Sequence, residues 1–245
     1  MKVLLQKLTA SCGVCVLLFF LAATSPTASG QPMLVPNITL DAPGLGVAVA
    51  HMPEQAAFQL APDGKTWELK PNGSFVVPGA PWLTVRELRF DPDPLIYNSI
   101  LVQNVSAVPQ TYTFGVSLPT TWAAPNLIRG SIDTSLIGTD AQIAALPNSS
   151  IYAAQIDGAT VRTLQDFPFT LTTPQQAVSS WAQFGFDLNN VPVNSSIGIV
   201  LTFTLSPGDT AAIVSDFEVV LVPEPGSLAL LLLGGGLLAC RRQKS

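Results

Sequence analysis

Cysteine is nearly absent. Only Cys12, Cys15 and Cys240 occur, each inside a terminal hydrophobic run, so the middle of the chain has no internal disulfide and no thiolate metal site. Cys12 and Cys15 have the spacing of a redox motif, but they sit in an apolar segment with no βαβ pattern around them. Histidine is scarcer: His51 is the only one. A Ser-His-Asp triad would have to use it, yet Met52 and Pro53 follow it and no nucleophile signature lies near. It reads as a solvated loop histidine, and a histidine-rich zinc site is excluded. Charge is also low, at 11% of residues, against roughly 25% in ordinary soluble domains. Among residues 31–221 there are six basic side chains (Lys65, Lys70, Arg86, Arg89, Arg129, Arg162) and fifteen acidic ones. So acidic a surface repels phosphate backbones, which excludes nucleic acid as a partner.

What is present gathers first at the N-terminus. Lys2 and Lys7 precede an almost unbroken apolar run over residues 10–23, and small polar residues follow it. This is the three-part layout of a secretory signal peptide, and the run is short for a membrane span. Ala28 and Gly30 suit the small-residue pockets of a signal peptidase, so residues 1–30 are expected to be removed and Gln31 to begin the mature chain.

The C-terminus is more specific. Pro223, Glu224 and Pro225 end any regular element before them, because proline lacks a backbone donor. The uncharged run 228–239 follows, then Cys240, Arg241, Arg242 and Lys244. As a helix, residues 226–240 would be about 22 Å long, short of the roughly 30 Å hydrocarbon core. Three consecutive glycines weaken it further. The basic end would stay on the cytoplasmic face. Such a span suits transient rather than permanent anchoring.

These residues, in this order, resemble the PEP-CTERM sorting signal of Gram-negative and related bacteria. Pro223, Glu224 and Pro225 match its motif, 228–239 its hydrophobic helix, and Arg241 and Arg242 its basic end. The resemblance covers only the tail, residues 222–245. It implies handling by an exosortase, a membrane-embedded cysteine-dependent transpeptidase-like enzyme, with cleavage near Pro-Glu-Pro. It also implies association with extracellular polysaccharide and biofilm matrix. The protein is then exported, held briefly at the inner membrane by residues 226–240, and delivered to the cell envelope or beyond.

The middle, residues 31–221, reads as one all-β domain. Strand-like runs recur from about Asn37 onward and lie most clearly at 82–90, 95–105, 111–118, 127–136, 151–156, 160–164, 167–172, 181–188, 197–205 and 211–221, enriched in β-branched and aromatic residues. Proline, glycine and asparagine divide them. Tyr112, Phe114 and Val116 share one face, as the two-residue strand period requires. The segments 95–105 and 111–118 read as a strand–turn–strand unit. Residues 140–146 are the one place where a short helix is expected, and 31–53 is expected to be the least ordered part. A single β-sandwich accounts for the pattern, with a jelly roll among the arrangements that fit.

No catalytic residue and no cofactor is expected. Paired carboxylates can hydrolyse glycosides, but such a pair is recognised by its separation in space, which sequence does not give. Asp91 and Asp93, in a proline-rich turn, form a fragment of a calcium site. Of Trp67, Trp82, Trp122 and Trp181, Trp122 has the most loop-like surroundings and is the expected exposed indole. Asn37, Asn72, Asn104, Asn148 and Asn194 begin Asn-x-Ser/Thr triplets, which arise readily in a Ser- and Thr-rich chain. The expected function is a structural or adhesive envelope protein. A carbohydrate-binding module is the alternative, and a secreted hydrolase stands third.

Overall fold

The computed structural model describes residues 35–222, apart from 72, 92, 175 and 176. The expected signal peptide, with Ala28 and Gly30, lies outside the described residues. So does the sorting tail from Pro223 onward, with Glu224, Pro225, Arg241 and Arg242. Among the described residues no helix is long and apolar enough to cross a membrane.

Two antiparallel sheets form a sandwich. The first contains β1 (Asn37–Ala42), β2 (Val47–His51), β8 (Gln110–Pro119), β10 (Gln142–Ala144), β11 (Ser150–Ile156), β12 (Ala159–Asp166), β13 (Thr170–Thr172) and β15 (Ser196–Leu205). Its principal order is β12-β11-β15-β8-β1-β2. The second contains β3 (Phe58–Leu60), β4 (Trp67–Leu69), β5 (Phe75–Val76), β6 (Leu83–Asp91), β7 (Leu95–Gln103), β9 (Asn126–Ile137), β14 (Val178–Asn189) and β16 (Thr210–Leu221). Its order is β14-β9-β16-β7-β6-β4-β3, with β5 pairing β6.

Alternation builds the core. Tyr112, Phe114, Val116 and Leu118 of β8 are buried together with Ile197, Ile199, Leu201, Phe203 and Leu205 of β15. From the other sheet, Ile96, Ile100 and Val102 of β7 and Ala211, Ile213, Phe217 and Val219 of β16 join the same cluster. Intervening residues point outward, so each sheet has one dry and one wet face. In β6 the alternation breaks. Leu83 and Val85 point in, and so do Leu88 and Phe90, because the pairing with β7 slips between Val85 and Glu87. One extra residue there moves the following side chains to the other face. This is why 82–90 shows only partial periodicity in sequence.

Two local expectations are corrected. Residues 140–146 form no helix: β10 lies there, its Ile143 paired with Leu171 and Leu205. Backbone pairing with two strands outweighs a weak local preference. The stretch up to Pro53 is less irregular than its sequence: β1 and β2 form a hairpin, with β1 also paired along β8. The expected strand–turn–strand unit is present as β7 and β8; its two strands belong to opposite sheets, as do β15 and β16.

One loop carboxylate ties a pole of the sandwich together. Asp157 accepts hydrogen bonds from the backbone N–H groups of Asn194, Ser195 and Ser196 and from the Ser195 hydroxyl. Desolvation would raise its pKa, but these donors outweigh it and hold the carboxyl far below its ordinary 3.8. A depressed pKa means the stabilisation is complete above about pH 4 and is lost as pH falls through the folded-state value. Asparagine tolerates the left-handed φ of 51° found here, so Asp157→Asn isolates the charge. Because the group is exposed and screened, the substitution is expected to lower Tm at neutral pH by about 3 °C, the equivalent of about 1 kcal/mol at this size. Below about pH 4 the variant and the parent converge. Thermal melts across pH check this, and a constant gap down to pH 2 would refute it.

Candidate functional site

The outer face of the second sheet carries a single register row. Gln59 on β3 pairs with Glu68 on β4, Glu68 with Arg89 on β6, and Arg89 with Tyr97 on β7. Tyr97 pairs with Asp216 on β16, Asp216 with Ser131 on β9, and Ser131 with Gln183 on β14. Seven strands thus place seven polar side chains side by side, each reachable by solvent. Directly behind them lies the apolar core, because β7, β16 and β9 alternate strictly in this region.

An open groove of about 490 Å³ follows this row. Glu68, Arg89, Tyr97, Asp216, Ser131 and Gln183 line it, with Trp181, Leu95 and Arg129 beside them and Asp63 and Thr66 of the β3–β4 turn at one end. Trp181 is 59% exposed and lies two residues along β14 from Gln183, on the same face.

The polar groups are held in place. Gln59 Nε2 donates to Glu68 Oε1 at 3.1 Å, and the Ser131 hydroxyl donates to the Asp216 carboxylate. The Arg89 guanidinium stands 5.2 Å from the Tyr97 ring centroid and donates to Glu87 at 3.3 Å. Arg129 pairs with Glu218 and lies 5.0 Å from the Phe186 ring. Burial, followed by the negative charge of Glu87, raises the Tyr97 pKa, so the phenol stays protonated and able to donate. Asp63 behaves oppositely. The Thr66 hydroxyl, at 2.6 Å, and the N–H groups of Lys65 and Thr66 lower its pKa, so it stays an ionised acceptor. Such a surface offers donors, acceptors and one open aromatic face. Among the described residues, no group of three or more histidine, cysteine, aspartate or glutamate side chains is gathered to hold a metal.

The residues singled out in the sequence fall elsewhere, with one exception. Trp122 is half-buried: it bridges to Val193, packs on the core, and its indole nitrogen is enclosed without a partner. Trp82 is 6% exposed and its ring lies 4.8 Å from that of Tyr112. Trp67 packs against the core. Trp181 alone stands open. Asp91 and Asp93 form a local turn, with the Asp93 N–H donating to Asp91 Oδ1 at 2.9 Å, and Lys65 lies 3.5 Å from Asp93. His51 ends the edge strand β2, half-buried and 5.8 Å from the Phe75 ring. Asn104 is fully buried and is therefore a structural residue. The row itself escaped sequence reasoning. Its members occupy ordinary outward positions, and only strand pairing makes them neighbours.

Fold and site together define a β-sandwich with a polar groove laid across one sheet. The chain that carries it ends in a PEP-CTERM protein-sorting motif, matched over residues 221–244. That motif implies an exported protein processed by an exosortase. No curated protein matches the chain by sequence. Among solved structures, TmCBM61 in complex with β-1,4-galactotriose is similar at 12% identity, over 51% of this chain and 71% of that one, with a TM-score of 0.29. Overlap at that level bears on neither ligand nor activity.

Proposed function

We propose that this exported protein is a non-catalytic adhesin of the cell envelope that binds polysaccharide through the groove on its second sheet. The observation that carries the reading is the exposed Trp181 beside an unbroken polar row. Sugar rings have an apolar face and a hydroxyl-rich edge. An open indole takes the first, since aromatic faces attract polarised C–H groups and bury apolar area. Amides, carboxylates and hydroxyls take the second, where each unpaired polar group would otherwise be costly. The three groove carboxylates act as acceptors: Asp63, Glu68 and Asp216 each already hold a neighbouring donor. Matrix polysaccharide is the partner this reading implies.

Affinity electrophoresis through gels cast with neutral polysaccharides tests the reading. The mature protein is expected to be retarded by at least one of them. Trp181→Ala is expected to weaken that binding about tenfold, or about 1.4 kcal/mol, with Tm unchanged because the side chain is exposed. Equal retardation of variant and parent would place binding elsewhere.

A further inference from the structure

Resting on that reading, we infer that the groove takes a neutral polysaccharide chain lying at right angles to the strands and contacted over several consecutive sugar units. Three observations lead there.

The first is direction. The row from Glu68 to Gln183 follows the pairing β4-β6-β7-β16-β9-β14, which crosses five interstrand gaps. At about 4.8 Å each, that is about 24 Å. A pyranose ring covers roughly one such gap of about 5 Å. A monosaccharide therefore meets one or two members of the row, whereas a chain laid across the strands meets them all. A chain laid along the strands would leave the row after a single contact.

The second is charge. Arg89 and Arg129 are the basic side chains lining the groove, and each is already engaged by a carboxylate, Glu87 or Glu218. Asp63, Glu68 and Asp216 add three more negative groups. Five carboxylates against two guanidiniums repel a polyanion at close range. An acidic polysaccharide is disfavoured on that count, and a neutral one is not.

The third is the order of chemical groups. Along the row stand carboxylate, guanidinium, phenol, carboxylate, hydroxyl and amide. No two adjacent members are the same kind of group. The row offers both donors and acceptors, as a hydroxyl-rich sugar edge requires. Trp181 lies one register step aside, where it can cover a ring face while the row meets the ring edge.

Calorimetric titration of the mature protein with neutral β-1,4-linked gluco-, galacto- and manno-oligosaccharides, from disaccharide to hexasaccharide, tests the inference. Affinity for the preferred series is expected to rise at least tenfold between disaccharide and pentasaccharide and then level off. Glu68→Ala and Gln183→Ala, at opposite ends of the row, are each expected to weaken the pentasaccharide severalfold. Polygalacturonate is expected not to compete at low salt. Binding that is equally tight at every length would overturn the extended-chain inference and leave glycan binding intact. Tight binding of polygalacturonate that fades with added salt would overturn the neutral assignment. Failure of every glycan to bind would remove the functional reading itself.

Discussion

Asn104→Ala is expected to destabilise the sandwich by about 3 kcal/mol, at the upper end of single-substitution effects. The side chain is fully buried where two inter-sheet turns meet. Its amide nitrogen donates to the carbonyls of Leu205 at 2.9 Å and Ser206 at 3.1 Å in one turn, and to that of Val108 at 2.9 Å in the other. Its oxygen accepts from the Ser106 N–H and hydroxyl, and from the Tyr112 hydroxyl at 3.3 Å. Its backbone joins the same knot: its N–H donates to Asp209 O, and its carbonyl accepts from Gly208. Alanine leaves several of these groups enclosed without partners, at about 1–3 kcal/mol for each group water cannot reach. Burial already pushes the Tyr112 phenol up to about 12, so it cannot compensate by ionising. Urea titration checks the prediction. The midpoint should fall with an unchanged slope, while Asn37→Ala at an exposed position should shift it little. A midpoint within error of the parent would mean that the two turns are held by backbone bonds alone.

Gly130→Ala is the second large effect, and it reaches the groove from behind. A Cβ at this position would lie 2.5 Å from the Tyr152 hydroxyl, 2.8 Å from the Asp216 carbonyl and 2.9 Å from Phe184. Two of these are parts of a tight arrangement, because the Tyr152 hydroxyl crosses the sandwich to donate to that same Asp216 carbonyl at 2.8 Å. Glycine inside a strand here marks a close approach of neighbouring groups. Overfilling such a site costs about 2 kcal/mol, or about 6 °C in Tm. The backbone group in the way belongs to β16, whose Asp216 side chain stands in the middle of the row. Glycan affinity should therefore fall along with stability. Adding Tyr152→Phe removes the hydroxyl from the clash and should recover part of the Tm. Thermal melts of the single and double variants decide it, and an unchanged Tm in Gly130→Ala would show that the core has slack at this point.

The groove and the sorting motif share the strand β16. Asp216 lies five residues before Leu221, where the strand ends. At about 3.4 Å per residue this puts the groove floor about 17 Å from the point where the sorting motif begins. β16 lies in the interior of the sheet, hydrogen-bonded to β9 and β7 on its two edges.

Much of this was legible in the residues alone. The strand content followed from β-branched and aromatic enrichment, and the buried face of β8 could be read directly because Tyr112, Phe114 and Val116 keep an uninterrupted two-residue period. In β6 a bulge hid the face. At 140–146 long-range pairing overrode a local preference. Trp122 misled because a loop-like neighbourhood says nothing about what packs over the loop.

The amino-acid sequence by itself determined that the chain is exported and the class of its fold. Both are written in contiguous residues: a proline-bracketed glutamate before a short uncharged run and a basic end, and a two-residue hydrophobic period. Only the tertiary structure decided the site. Gln59, Glu68, Arg89, Tyr97, Ser131, Gln183 and Asp216 become one row through backbone hydrogen bonds between strands far apart in the chain. Strand register is a property of that pairing, and a shift of one residue would turn every member of the row to the opposite face.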